Sequence, residues 1–349
     1  MDPNLEPKSE IVTRTVEALA RADLSLLPPV WKSEAAHRIL RAVAWMAPTE
    51  ETVLITGSSG TGKSFLAEVI HRLSRRKDAP FCVIPVAGLS QTLVHSELFG
   101  HEAHAFTDAG RQRRVGLIEG SDGGTVFLDE IGDIHPLTQV MLLRFLQDRR
   151  FRRLGGNREV KSDVRVLVAT NRDLTARVDS GEFREDLFFR ISTFTIEMPS
   201  LSERREDIPG LAETFLSRLA CEAGKTYRAR RFSRAALKSL LAYDWPGNIR
   251  ELEKVVIWAF YHAGRREVIQ IGDLPLASSG RTRAALGVQA DGRGHDLSAE
   301  RFESCYLESV LRLCHWNVSE TARLLKVKPD TVRDRMRRAG LKRPPKQPA

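Results

Sequence analysis

Residues 57–64 run Gly57, Ser58, Ser59, Gly60, Thr61, Gly62, Lys63, Ser64. The apolar stretch TVLIT precedes them and FLAEVIHRLS follows, so a strand should feed a loop that opens a helix. Glycines let such a loop turn its amides on an anion, and the helix N-terminus adds its dipole. Lys63 would neutralise the outer phosphates of ATP, and the Ser64 hydroxyl would ligate Mg²⁺. Downstream, GGTVFLDE ends a buried strand in Asp129 and Glu130. Asp129 suits the metal, through water, and Glu130 suits polarising the attacking water. VRVLVA then ends in Thr170 and Asn171, which puts an amide at a sheet edge where it could orient that water. Without its neighbours, Asn171 reads as an ordinary strand-end residue.

The elements that must position these groups follow from hydrophobic patterning. Continuous apolar runs at Thr52–Thr56, Phe81–Pro85, Thr125–Leu128 and Val164–Ala169 indicate strands covered on both faces, hence a parallel sheet with helices on both sides. After Pro199 strand signals stop and helical segments follow at Leu211–Ala223, Ser233–Tyr243 and Asn248–Ala263. Near the start, Val12–Leu24 has the pattern of one amphipathic helix. Residues 273–297 are rich in small, polar and glycine residues and read as a linker.

The chain has 349 residues, 28% of them charged, with net charge +9, which excludes wholesale disorder. No apolar run is long enough to span a membrane, and the N-terminus has no signal-peptide pattern, so a cytoplasmic protein is expected. Cys82, Cys221, Cys305 and Cys314 lack metal-ligand spacing and read as buried reduced thiols. From Lys326 to Ala349 there are nine Lys/Arg and two Asp, so most of the net charge sits in 24 residues. Such an end suits DNA. Asn317 to Ser319 should cap a short helix, Glu320–Leu325. A tight turn leads to Pro329 and a second helix, Asp330–Ala339, with Gly340 as its stop. Two short helices with arginines on the second make a helix-turn-helix. Lys328, Asp330, Thr331, Arg333 and Asp334 are candidates for base contacts, and Arg337, Arg338, Lys342 and Arg343 for phosphates. A dimerisation hairpin with a basic face is the plainer reading of the same residues.

The ordered motifs GSSGTGKS, SELFGHEAHAFTDA, GGTVFLDE, ATNRDL, FREDLFFRI and WPGNIREL closely resemble the bacterial enhancer-binding proteins. These are AAA+ ATPases that activate transcription by RNA polymerase holding sigma-54, and the C-terminal end is similar to their Fis-type DNA-binding modules. The resemblance implies an α/β P-loop AAA+ core, an α-helical lid and an all-α helix-turn-helix domain. The corresponding boundaries are a short segment at 1–24, the ATPase subdomain at 25–198, the lid at 199–272, the linker at 273–297 and the DNA-binding domain at 298–349. It implies a ring, usually a hexamer, in which Arg184 and Arg190 reach a neighbour's γ-phosphate and Arg250 senses the phosphates. Outside the motif, Arg184 and Arg190 read as surface arginines paired with Glu185 and Asp186. The resemblance also places Ala322, Leu325, Val327, Thr331 and Leu341 at core or contact positions of the terminal module.

Two departures stand out. The loop that grips sigma-54 is GAFTGA in the family; here it is His104, Ala105, Phe106, Thr107, Asp108, Ala109, so both glycines are replaced. Pro85 stands where the family carries an asparagine that contacts the catalytic glutamate. The expectation is therefore an ATP-hydrolysing activator that binds upstream DNA and remodels sigma-54 polymerase. It is controlled in trans by a partner protein or by abundance, with a related subunit a further candidate for the ring. Its rival is a DNA-binding regulator with an uncoupled ATPase acting independently of sigma-54, which the altered loop and Pro85 favour. An AAA+ chaperone or metal-insertion subunit would have no use for the helix-turn-helix.

Overall fold

The computed structural model describes residues 31–86, 91–105, 113–222, 231–276, 311, 316–324 and 329–338. The expected helix Val12–Leu24 and the linker after residue 276 lie outside them. The chain divides into two units, one reaching Leu211 and including Asp244–Leu252, the other formed by Ala212–Tyr243 and the residues from Glu253 on.

The first unit is built on five strands: β1 (Val53–Thr56), β2 (Phe81–Pro85), β3 (Thr125–Asp129), β4 (Arg165–Thr170) and β5 (Phe194–Glu197). Their order is β2-β3-β4-β1-β5, and every neighbouring pair is parallel. Successive side chains of one strand face opposite ways. Leu54, Ile84, Val126, Leu128, Val166 and Val168 therefore pack into one core layer. Val53, Ile55, Phe127, Leu167, Ala169 and Ile196 pack into the other. This two-sided burial is why the three inner strands, β1, β3 and β4, read as unbroken apolar runs. The two edge strands each bury one residue: β2 buries Ile84, although FCVIP is an apolar run, and β5, FTIE, alternates and buries Ile196.

A helix at Glu34–Met46 covers one face, capped by Ser33, whose hydroxyl accepts from the Ala36 amide at 3.1 Å. Its C-terminal carbonyls are closed by Arg165, a fully buried guanidinium that donates to Ala47 O at 2.6 Å and Met46 O at 3.0 Å. Burial pulls the Arg165 pKa down to about 10.

The second unit is mainly helical. Ser233 caps the helix Arg234–Ala242, and Arg231–Phe232 pairs in parallel with Val268–Ile269, a short ladder that helical patterning did not predict. Within the same unit lie the helices Val318–Leu324 and Pro329–Arg338. Cys82 is half-buried and Cys221 exposed, so the expectation of buried thiols fails for Cys221, which sits near the end of the helix Ile208–Glu222.

Candidate nucleotide site and DNA-binding module

The sheet's register brings three functional segments to one edge. Thr56 lies beside Thr170, and Pro85 beside Asp129, so β1, β3 and β4 release residues 57–64, Glu130 and Asn171 side by side. That is the carboxyl edge, where open parallel sheets bind ligands.

Every carbonyl from Gly57 to Thr61 accepts a hydrogen bond. Lys63 Nζ donates to Gly57 O at 2.9 Å and Ser58 O at 3.4 Å, and Thr61 Oγ1 also donates to Ser58 O at 2.9 Å. Asn248 Nδ2 donates to Ser59 O at 3.0 Å, the Ile249 amide to Gly60 O at 2.9 Å, and Arg204 Nη2 to Thr61 O at 2.5 Å. In a planar trans peptide the C=O and the next N–H point opposite ways. Holding the carbonyls of Ser59, Gly60 and Thr61 with Asn248, Ile249 and Arg204 therefore turns the amides of Gly60, Thr61 and Gly62 away from those donors, an arrangement suited to phosphate. Gly60 is required here: at φ +78° an added Cβ would meet Gly247 O at 2.5 Å.

The helix Lys63–Arg72 starts directly behind, with Gly62 as its N-cap. Lys63 is buried, and its ammonium lies 3.8 Å from Glu130 Oε1. Burial holds its pKa below the ordinary lysine value, against the pull of Glu130 and Asp129. Ser64 Oγ donates to Asp129 Oδ2 at 3.3 Å, which puts a hydroxyl and a carboxylate together, hard oxygens of the kind Mg²⁺ takes. Glu130 itself adopts a left-handed backbone at φ +61°. Non-glycine residues hold such strain mainly at functional positions. Its Oε2 accepts from the Asn171 main-chain amide at 3.0 Å, so the recorded link between the two runs through the backbone of Asn171. Arg250 Nη1 reaches Ser59 Oγ at 3.0 Å.

Arg184 is the N-cap of the helix Glu185–Ile191 and Arg190 lies in its last turn; both are exposed. Arg184 makes a two-pronged pair with Asp186, at 2.9 and 2.6 Å, the surface pairing read from the residues alone. Arg190 Nη2 donates to Leu146 O at 3.0 Å. Phe189 between them is 65% exposed.

Pro85 ends β2, an edge strand. The Val86 amide bonds Asp129 O, so the position of residue 85's missing N–H faces the open edge, where proline is tolerated. Of the loop at 104–109, His104 and Ala105 are described; Phe106, Thr107, Asp108 and Ala109 lie outside the described residues. His104 has φ +61°, so the backbone keeps the left-handed turn that glycine favours. Histidine is among the few side chains found there with any frequency. The stem pairs Gly100–His101 with Arg114–Val115, and a neighbouring hairpin pairs Arg150–Arg152 with Glu159–Lys161. Buried Arg153 joins them, donating to Glu119 at 2.8 Å and Glu102 at 3.0 Å. Its pKa is raised chiefly by the hydrogen bonds it donates to Glu119.

In the terminal module Leu311, Ala322 and Val332 form a small core. Asn317 Oδ1 accepts from the Ser319 amide at 3.1 Å, the cap expected at the first helix. The second helix opens at Pro329 itself. Val332, unassigned from the sequence, is its buried residue, while Thr331 is half-buried. Asp330, Arg333, Asp334 and Arg337 are exposed, and Arg333 pairs with Asp330 at 2.6 Å and Arg337 with Asp334. The side chain of Arg338 lies outside the described residues, as do Lys328, Leu325, Val327, Leu341, Lys342 and Arg343.

A P-loop following an inner strand of a parallel sheet, with an acidic pair at the end of the next strand but one, defines an α/β P-loop ATPase. Residues 30–197 match the Sigma-54 interaction domain, 202–288 the AAA+ ATPase lid domain and 298–338 the bacterial regulatory protein, Fis family. The chain is 40% identical over 332 residues to the transcriptional regulatory protein ZraR of Salmonella typhimurium, covering 95% of this chain and 73% of that protein. To ZraR of Escherichia coli (strain K12) it is 47% identical over 262 residues, 75% of this chain and 58% of that one. Its fold resembles that of NtrX from Brucella abortus in complex with ATP, with TM-score 0.66 and 30% identity, covering 97% of this chain and 77% of that one. The chain belongs to the sigma-54-dependent transcriptional activators, with an AAA+ ATPase core, its lid and a DNA-binding helix-turn-helix. No helix among the described residues is long and apolar enough to cross a membrane.

Proposed function

We propose that this activator hydrolyses ATP at sites shared between copies in a ring and passes the resulting motion through the loop at 104–109 to sigma-54 polymerase. The observation that carries the reading is the P-loop, whose pinned carbonyls leave its amides free for phosphate beside Lys63, Asp129 and Glu130. Ser64 and Asp129 would hold Mg²⁺, which when bound screens phosphate charge. Glu130, fixed by the Asn171 amide, takes the proton of the attacking water. Arg250 holds its guanidinium over the loop at Ser59. Arg184 and Arg190 are exposed at the surface with Phe189, so they are available to a second copy's γ-phosphate. Asp330, Thr331, Arg333 and Asp334, together with Lys328, meet base edges upstream of the promoter, and Arg337 and Arg338 meet phosphates. The boundaries 25–198, 199–272 and 298–349 describe the working parts, and the cytoplasm is their place.

The test is transcription in vitro with sigma-54 holoenzyme, ATP and a matched promoter. Wild type should form open complexes, and the double variant His104→Gly/Asp108→Gly should do so at least as well. ATP turnover per chain should rise with protein concentration. Turnover independent of concentration would exclude a shared site.

A further inference from the structure

Among the hydrogen bonds behind the P-loop are those from Arg204, which lies outside the family motifs, and from Asn248, which lies inside WPGNIREL without a role of its own there. We propose that Arg204 and Asn248 are positioning residues of the ATP site, setting its affinity for the phosphates by holding the P-loop carbonyls from behind. The inference rests on the reading of residues 57–64 as that site.

Arg204 is 5% exposed, and its Nη2 holds Thr61 O at 2.5 Å while its buried Nε finds no partner. The charge of Asp207 pulls the other way, yet burial still leaves the Arg204 pKa lowered. Asp207 Oδ1 is taken by the amides of Lys32 and Ser33 at 2.8 and 2.9 Å, and Oδ2 by Ser33 Oγ at 3.0 Å. A buried guanidinium that hydrogen-bonds no carboxylate stays costly unless further negative charge comes near. Here it stands at the back of a loop whose front is shaped for a polyanion. The backbone departs from helical geometry at Arg204, φ −132° and ψ 48°, within an otherwise helical turn.

Asn248 is 2% exposed, with φ +52°. Both ends of its amide are used: Oδ1 accepts from the Leu201 amide at 2.8 Å and Nδ2 donates to Ser59 O at 3.0 Å. One side chain thus ties the segment carrying Arg204 to the loop. By peptide planarity, Asn248 on Ser59 O orients the Gly60 amide, and Arg204 on Thr61 O orients the Gly62 amide. Neither touches the nucleotide; each aims a donor that does.

The experiment measures the Kd of a fluorescent ADP derivative for the full chain and for Arg204→Met, Arg204→Lys and Asn248→Gly, with Lys63→Ala as control and adenosine as competitor. Arg204→Met and Asn248→Gly should each weaken ADP about tenfold, the scale of a lost hydrogen bond to or from a charged or buried group. Adenosine, lacking phosphates, should compete unchanged. Arg204→Lys, which keeps a donor for Thr61 O, should recover most of the loss. Glycine accommodates φ +52°, so Asn248→Gly decides the matter should Arg204→Met fail to fold. Wild-type ADP affinity in the folded variants overturns the proposal, even with a lowered melting temperature, because that would be a purely structural role. Equal weakening of adenosine and ADP overturns it as well. Should wild type not bind ADP, or Lys63→Ala bind it equally well, the fault lies instead with the ATP-site reading.

Discussion

The P-loop and the terminal helix-turn-helix both face phosphate, and they are built in opposite ways. At the loop the cation is buried, the carbonyls are locked, and a two-sided core lies underneath. In the terminal module Arg333 and Arg337 are exposed and paired with aspartates of their own helix, over a core of Leu311, Ala322 and Val332. The first arrangement fixes one geometry for one small ligand, at the expense of burying charge. The second keeps charge solvated and exchangeable, which suits a polymer approached in many registers. Precision in one case and adaptability in the other follow from how deeply the cations are buried.

The largest effect should come from the site proposed to be shared between copies. Arg184 spends its guanidinium on Asp186 in the isolated chain, an exposed pair of little worth that a γ-phosphate can displace. Arg184→Ala should lower ATP turnover roughly a thousandfold or more, with ADP affinity little changed. Steady-state hydrolysis at saturating protein, beside ADP titrations, checks both halves; a lost affinity with intact turnover would place Arg184 elsewhere.

A smaller effect is expected at the DNA. Arg333→Ala should weaken binding to the specific site by about 1–3 kcal/mol if it reads a base. Asp330→Ala, which frees Arg333 and removes a negative charge, should instead strengthen non-specific binding and steepen its salt dependence. Titrations at several salt concentrations separate the two. Equal losses on all sequences for Arg333→Ala would make it a phosphate contact.

The same contrast governs what could be read before the structure. TVLIT, TVFL and VRVLVA announced their strands because both faces are buried; FCVIP was legible from its apolar run although it lies at one edge and buries only Ile84, whereas FTIE at the other edge alternates and carried no such signal. The P-loop, Asp129 and Glu130 were legible because their spacing is local and their residue types scarce. Arg204 was not: it is 143 positions from Thr61, and SERRED reads as a solvated helical turn until burial is known. Asn248 was legible as a turn residue, but its bond to Ser59 spans 189 positions. Pro85 was visible as a departure, yet only the register shows that its lost N–H falls on the open edge of the sheet.

Acid should divide the two regions. His71 and His95 are buried, each against a threonine hydroxyl, Thr125 at 2.9 Å and Thr138 at 2.8 Å. Burial is the main cause that holds both pKa values below 6.5. The unfolded chain therefore takes up these protons first as pH falls below 6.5, and stability declines toward the lower folded values. The slope is at most about 1.4 kcal/mol per pH unit per histidine. Melting between pH 7.5 and 5.5 should show the loss, and His95→Gln should flatten it. The described residues of the two terminal helices contain no histidine, so specific DNA binding should not share this profile.

The smallest effect tests the altered loop. His104 holds φ +61°, which costs a side-chain-bearing residue about 1–2 kcal/mol. Glycine removes that strain and gives back roughly 0.5–1 kcal/mol through the entropy of the unfolded chain. The two terms nearly cancel, so His104→Gly should leave stability within about 1 kcal/mol of wild type, a melting shift of a few degrees at most. Open-complex formation is then the discriminating readout. A gain without a change in stability means that histidine impedes contact with sigma-54 by bulk or charge. An unchanged rate means that the left-handed turn, which His104 already supplies, is all the loop requires at this position.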